Sequence, residues 1–541
     1  MRRKNTWGLL TTTLLAGYAM PAHAAEIWVD AAADPGGDGS MASPFTDLQD
    51  GVDAAQPGDT VHALAGTYGA IVTRTDGADG TPITILSEEP RQAIVQSDGT
   101  ALEIDHSFHI FEGLVFDSTF AADDGVVGGG SNIEFIDVEI MNAGQDCVDL
   151  RDSRDILFDS SVIHHCVRQF DPDNNPDAHG ITGDSVFDLT VRDSEIYMVT
   201  GDAVQLSPSR AAWDNVLVER TTMWSGPLDI SVNGWEQGDP IGENAFDSKV
   251  GDELNGDGAR PKATFRDVVA HGWRNSISNQ GAFTIKEEVD FVLDRATIYD
   301  CEIGGRLRAP AQVRWQNVVM YDLDLGFRLE EGLSAPLIYN TTLGGQISTL
   351  LDDDGTDPVD TMMRNVLFLA DAVPPLAAGD ASNLAVDGTV FEDAAGHDYR
   401  LVLGSAPTDV GIELAEVTDD RLGVPRPFGA AFDIGAYEWT DEEPPMGESS
   451  GGDSSSTDGS GGSSGQDPSG PASGSTGSGG GSDGPSVGGV GSDTDSAGAG
   501  DGDDGGCGCT SAPSPWGWSA LFVLMFFRRR RAYSDVSDPS Q

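Results

Sequence analysis

The chain has 541 residues, with 30 Lys plus Arg against 89 Asp plus Glu and a formal net charge of −59. That excess of acid repels polyanions at long range and excludes a non-specific nucleic-acid partner. The 69 Gly and 28 Pro favour many short strands joined by turns over a helical protein, and five Cys are too few for a disulfide scaffold.

At the start of the chain, Arg2, Arg3 and Lys4 precede an apolar stretch from Trp7 to Met20, and Ala22-His23-Ala24 puts small residues where a signal peptidase reads. Residues 1–24 therefore read as a signal peptide, and the mature protein is expected to be exported. Export permits disulfides, so Cys147 and Cys166 can pair; their spacing alone does not fix the pairing, which would leave Cys301 as a buried thiol. Residues 25–80 read as an N-terminal cap and first coil. Ile27 to Asp30 is a strand, Ser43 to Ala55 an amphipathic helix covering an otherwise open sheet edge, and Pro57 to Val61 leads into a second strand.

From residue 81 to 438 the sequence repeats. Short apolar cores recur at Ile104, Val127, Val148, Ile181, Val204, Phe246, Phe283, Leu307 and Leu329, with a base interval of 21–24 residues. The three longer intervals carry polar loops at Asp171 to Asp177, Trp235 to Gly242 and Asp252 to Pro261. A second apolar cluster follows several cores, as at Ile156-Leu157-Phe158, Val216-Leu217-Val218 and Phe291-Val292-Leu293. A repeat with at least two strands and no helix predicts an all-β fold, a right-handed parallel β-helix whose stacked coils bury one continuous interior.

Alternation along each strand then puts the residues one and three beyond an inward core on the outer face. The first column reads Asp149, Thr182, Gln205, Asp247, Thr284 and Arg308, and the second Arg151, Asp184, Ser207, Lys249, Lys286 and Pro310. Two residues before the core lie Asp146, His179, Asp202 and Asn244. With coils about 4.8 Å apart, these columns form one exposed ridge in which carboxylates adjoin lysines. Between residues 241 and 330 there are 11 Lys plus Arg and 15 Asp plus Glu, so an acidic protein keeps a nearly neutral stretch where it would meet an acidic sugar chain. Asp171, Asp173 and Asp177 space oxygen ligands at alternate positions, as calcium loops do, without the bidentate Glu of an EF-hand. His164 and His165 are expected to point to opposite faces and so not to share a metal. Trp224, Trp235 and Trp273 stand in or beside the inserted loops, available for sugar stacking or for turn packing.

Beyond the repeats, residues 439–506 form an acidic Gly/Ser-rich linker that buries too little apolar area to order itself. Cys507-Gly508-Cys509 then leads into the apolar Trp516 to Phe527 and the cluster Arg528 to Arg531, with a polar tail at 532–541. Twelve helical residues reach only about 18 Å against a hydrocarbon core of about 30 Å, too short for an ordinary span.

Two resemblances follow from these residues. The opening from Ile27, the Gly66-Thr67-Tyr68 after it, and the closing run from Tyr399-Arg400-Leu401 through Asp433-Ile434-Gly435-Ala436-Tyr437 resemble the ends of secreted right-handed β-helix proteins of the pectin-lyase-like superfamily. That superfold hosts lyases, hydrolases, esterases, epimerases and adhesins, so it implies a fold rather than an activity. Gly506 to Arg531 resembles the C-terminal sorting tails of myxobacterial surface proteins, which implies processing near Cys507 or Cys509 and attachment to the cell envelope.

Within the repeats, Glu243 to Lys249, followed one coil later by Gly281 to Lys286, loosely resembles the acidic-then-lysine coil of the chondroitinase B and alginate lyase group. Carried over, Lys249 is the base, Glu243 and Asp247 bind Ca²⁺, Lys286 stabilises charge, Asp202 joins the metal ligands, and Arg308 lies at the groove edge. Lys286-Glu287 stands where that group carries an Arg-His pair, and the acidic residues differ in register. Three functions compete: uronate elimination on an acidic polysaccharide, non-catalytic carbohydrate binding or adhesion, and a purely structural surface role; a carboxylate pair such as Asp146 with Asp149 could serve hydrolysis in principle, but such pairs are common on this face.

Overall fold

A computed structural model describes residues 24–171, 177–206, 211–250, 260–274, 281–330, 332–333, 335–354 and 362–441. The chain divides into two units, 1–459 and 460–541, and all described residues belong to the first. All but Ala24 of the expected signal peptide, all but residues 439–441 of the expected linker, and the 507–531 segment lie outside them, as do Asp173 and Ser207.

The first unit is an all-β parallel solenoid of about eleven turns. Each strand pairs with the strand one coil later, so Val126 lies opposite both Leu102 and Val148, and Val204 opposite both Ile181 and Phe246. A full coil carries three strands, as in Val204–Leu206, Asp214–Glu219 and Thr222–Trp224. Strands this short cannot hold a fold alone; stacking makes each inward residue touch its equivalents above and below. Phe111, Phe135 and Phe158 show the result, fully buried with ring centroids 5.3 and 4.6 Å apart.

The corner between the second and third strands is one residue in the left-handed conformation. Gly113, Asp137, Ser160, Asp193, Arg220, Asp267, Arg295, Asn317, Asn340 and Asn365 occupy it on successive coils, with φ between +42° and +65°. Asp and Asn are frequent there because their short polar side chains tolerate that conformation. Arginines brace the corner across coils, as where Arg220 Nε lies 2.7 Å from Asp193 Oδ1.

The helix is shorter than expected, Leu48–Ala54, with the Asp47 carboxylate accepting from Gln49 N as its N-cap. It buries Leu48 and Val52. Gly51 lets it approach the sheet, since a Cβ there would meet Val29 Cγ2 at 2.8 Å and Val61 Cγ1 at 2.9 Å. Cys147 and Cys166 are bonded, with Cα atoms 5.4 Å apart, and Cys301 is a free, buried thiol. By loop-closure entropy this 19-residue link contributes about 3 kcal/mol.

Four of the expected core positions are out of phase. Register pairs Leu102, Val126 and Val148, so Ile104 lies two residues late and Val127 faces outward beside Asp149. Likewise Phe283 pairs with Gly305, not Leu307, and Gly305 with Phe327, not Leu329. The cause is steric. A Cβ on Gly305 would sit 3.0 Å from Trp315 and 3.1 Å from Phe327, so large neighbours fill the space that an apolar side chain occupies on other coils.

Candidate functional site

The corrected register gives the outer row as Asp149, Thr182, Gln205, Asp247, Thr284, Arg306 and Arg328. Arg306 therefore takes the place expected for Arg308, which lies two residues further along. Both arginines grip one carboxylate, Arg306 Nε at 2.6 Å from Glu330 Oε1 and Arg308 Nε at 2.6 Å from Glu330 Oε2. Arg308 thus stands at the edge of the charged rows, paired with an acid.

The column two residues before the core is held by backbone stacking. Cys147 N donates to His179 O at 2.9 Å, Gly180 N to Asp202 O at 3.0 Å and Ala203 N to Asn244 O at 2.9 Å. Asp146, His179, Asp202 and Asn244 consequently lie over one another. His179 Nδ1 is 2.8 Å from Asp146 Oδ1, and His179 Nε2 is 3.6 Å from both Asp177 Oδ1 and Asp202 Oδ2. Asn244 donates to Asp202 Oδ1 at 2.6 Å and accepts from Thr284 Oγ1 at 2.7 Å.

The outer row joins this column. Gln205 donates to Asp202 and accepts from Lys249 Nζ at 2.9 Å, while Lys286 Nζ is 2.9 Å from Asp247 Oδ2. Asp177, Asp202, Glu243, Asp247, Lys249 and Lys286 are thus parts of one charged cluster, with Gln205, Asn244 and Thr284 as its neutral links. Asp171 is exposed at the far end of its loop, whereas Asp177 turns into the cluster.

The expected exposed ridge is not what forms. Asp202 is 0% exposed, Gln205 1%, Asp247 4% and His179 6%. Burial changes the chemistry of every charge there. It pushes the Asp202, Glu243 and Asp247 carboxyls above their usual range, and for Glu243 the neighbouring Asp177 and Asp202 push in the same direction. Burial by itself would lower His179, but Asp177, Asp146 and Asp202 outweigh it and raise the imidazole to about 10. Lys249 follows the same pattern: burial lowers it, and Asp247, Asp202, Asp177 and Glu243 more than compensate, so the ammonium form is favoured.

Calcium can be tested against these donors. Asp177, Asp202, Glu243 and Asp247 supply the carboxylate oxygens a hard cation takes, and Asp177 Oδ1 and Asp247 Oδ1 are buried without a hydrogen-bond donor. No three His, Cys, Asp or Glu side chains among the described residues are already gathered around one point. The carboxylates instead face His179, Lys249 and Lys286. The donor chemistry fits Ca²⁺, and closing around it would require the carboxylates to turn from those internal cations.

Other expectations change. Trp273 is buried, with Nε1 donating to Met223 O at 3.3 Å, and both faces of Trp224 are covered, by Tyr197 at 4.6 Å and His271 at 5.8 Å. Trp235 meets the edge of Phe170 and donates to Arg168 O at 2.9 Å. These rings serve packing. His164 and His165 do not diverge: φ at His165 is +55°, which breaks the strand alternation and brings the two Nδ1 atoms within 2.6 Å. No pattern in the sequence marks that conformation. His179 and Asn244 were recognisable only as members of a column, because their roles depend on partners 23 to 42 residues away.

No family model matches the chain, and no curated protein is significantly similar to it in sequence. Among solved structures it is similar to pectate lyase Pel9A, with a TM-score of 0.42 and 12% identity over 77% of this chain and 96% of that one. It is also similar to an alginate lyase from Paenibacillus sp. str. FPU-7, at TM-score 0.40 and 17% identity over 55% of this chain and 94% of that one. A third is a polygalacturonase from Erwinia carotovora ssp. carotovora, at 0.37 and 12% over 64% and 98%. These neighbours are polysaccharide lyases and a hydrolase of the β-helix type, and likeness at this level assigns no chemistry to the present chain.

Proposed function

We propose that the protein acts on an acidic polysaccharide, cleaving it by β-elimination at a uronate with Lys249 as the base. The observation that carries this reading is a partly buried amine, Lys249 Nζ, held by Gln205 amid Asp177, Asp202, Glu243 and Asp247. Elimination needs a proton removed from the carbon beside the sugar carboxylate while the neighbouring C–O bond breaks, and a positioned amine suits that step once deprotonated. The field of the four carboxylates now holds the amine protonated. When those carboxylates are engaged elsewhere, burial prevails and the amine becomes a competent base.

A divalent cation such as Ca²⁺, bound by Asp177, Asp202, Glu243 and Asp247, would supply positive charge against the substrate carboxylate and acidify the adjacent C–H. Lys286, Arg306, Arg308 and Arg328 stand on that coil's successors, about 4.8 Å per step, as charge partners for further uronates. The signal peptide and the 507–531 segment belong with this role, placing the enzyme outside the cell and tying it to the cell envelope. Mass spectrometry of surface-extracted protein would then lack residues 1–24 and the Arg528 to Arg531 terminus.

Incubating the secreted protein with a panel of uronate polysaccharides, with and without Ca²⁺, should yield an unsaturated product absorbing in the ultraviolet. Binding without product across the panel would favour the adhesin reading. Hydrolysis has one observation of its own: burial, with Asp146 and Asp149 adding to it, raises the Asp124 carboxyl to about 7, the range of a general acid. New reducing ends without unsaturated product would select that reading.

A further inference from the structure

His164 and His165 form a second cluster on another outer face, away from the Asp202 column in the coil. Each ring places Nε2 against a carboxylate, His164 at 3.0 Å from Glu139 Oε1 and His165 at 2.9 Å from Asp229 Oδ1. A carboxylate beside Nε2 demands a proton on that nitrogen. Donation from His164 accordingly holds the Glu139 carboxyl below its usual range. Both Nδ1 atoms then present lone pairs, and these face each other at 2.6 Å.

Two lone pairs at that distance repel unless they share a cation, either a proton on the line between them or a metal ion to one side of it. One bridging proton leaves the two imidazoles and two carboxylates with a net charge of −1, whereas a divalent metal brings the group to zero. We propose that His164 and His165 are the two protein ligands of a divalent transition-metal site, with Glu139 and Asp229 orienting them and water completing the coordination. The site is built in advance. The left-handed residue that recurs at this point of the coil, Asn142, His165 and Met198 on successive turns, brings the His165 ring to His164, and Tyr197 fixes both rings, stacked on His164 at 4.7 Å and edge-on to His165 at 5.7 Å. Metal-bound histidines commonly donate their second N–H to a carboxylate, and both do so here.

The separation also selects the metal. With metal–nitrogen bonds of about 2.0 Å, two nitrogens at right angles lie about 2.8 Å apart and two at the tetrahedral angle about 3.3 Å. The observed 2.6 Å is near the first value. The pair therefore suits a tetragonal ion, Cu²⁺ ahead of Ni²⁺, better than tetrahedral Zn²⁺, and Cu²⁺ also stands highest in intrinsic affinity. Asp229 is 61% exposed at its side chain and marks the approach from solvent.

The test is titration of the mature full-length protein with Cu²⁺, followed by electron paramagnetic resonance. One equivalent should bind with hyperfine structure from two imidazole nitrogens. The double variant His164→Gln/His165→Gln should lose that signal, and Asp229→Asn should weaken binding by about 10–100-fold. Because His164 is nearly buried, the single variant His165→Ala supplies the same test with less risk to folding, and its circular dichroism should match the parent. Copper bound equally by the variants, or a bound species lacking two-nitrogen coupling, would overturn the assignment. So would nitrogen-15 resonances of the pair that report a shared proton unchanged at saturating Cu²⁺.

Discussion

On the face that carries Thr222–Trp224, seven rings lie over one another: His164, Tyr197, Trp224, His271, Tyr299, Tyr321 and His397, at centroid distances of 4.2–5.8 Å. On the face that carries Phe246–Ser248, the outer row alternates instead, with neutral Thr182, Gln205 and Thr284 between the charged positions Asp149, Asp247 and Arg306. The coil spacing is the same on both. Near-parallel rings attract when stacked, so like may follow like without cost, whereas like charges at one coil's separation repel. A solenoid can extend an aromatic stack indefinitely, but it can bury charge only where the sign changes or a neutral link intervenes. The exceptions are the run Lys249, Lys286, Arg308 and the neighbouring Arg306 and Arg328, whose cations are each tied to an acid or amide and which face the proposed substrate.

The largest expected effect that separates the two faces is on turnover. Lys249→Met should reduce formation of the unsaturated product by about 10²–10⁴-fold, the usual contribution of a general base, while thermal unfolding stays cooperative. A rate equal to the parent's would remove Lys249 from the chemistry.

Next comes stability. Asp202→Ala removes one of the three carboxylates around the buried His179 imidazolium and strips the buried amides of Asn244 and Gln205 of their acceptor. Denaturant unfolding should report a loss of about 3–5 kcal/mol, and a loss below about 1 kcal/mol would mean that the cluster is not a unit.

His179 adds a pH dependence in metal-free protein. Its pKa is 6.5 as a free side chain and about 10 in the fold, so the folded state holds the proton more tightly. That stabilisation is complete below about 6.5 and is lost as pH rises through about 10. The melting temperature should fall across this interval, and His179→Gln should flatten the fall.

A break in the aromatic stack should cost less, because the rings beyond His164, Tyr299 among them, are only half-buried. Tyr299→Leu is expected to lower stability by about 1–2 kcal/mol, independently of pH between 6 and 9. Smallest is Arg151→Ala. Its side chain is 61% exposed and pairs with Asp149, so calorimetry should detect a change below about 1 kcal/mol.

Much of the fold was legible in the sequence because solenoids repeat a local rule. The spacing of Val148, Ile181, Val204, Phe246 and Phe283 marks the coils, and the two excess-length intervals after Val204 and Phe246 mark loops. Phase was harder to read. Both inward positions of a strand accept apolar residues, so apolarity alone puts Ile104, Leu307 and Leu329 two residues from their true level and Arg308 in the place of Arg306. The corner column escaped notice as well, since Gly, Asp, Ser, Arg and Asn all occupy it and share a backbone angle rather than a side-chain type.

The sequence by itself determined a repeating all-β chain, the residues 177–286 that hold its acids and lysines, and the pairing partners available to Cys147. These depend on composition and spacing, which are properties of the chain alone. Only the tertiary structure decided that Asp202 and Asp247 are buried rather than exposed, that His179 is held as a cation between Asp146, Asp177 and Asp202, and that His164 meets His165. Each of these depends on which residue stands one coil above or on a single backbone angle, and neither quantity has a local signature for a sequence to carry.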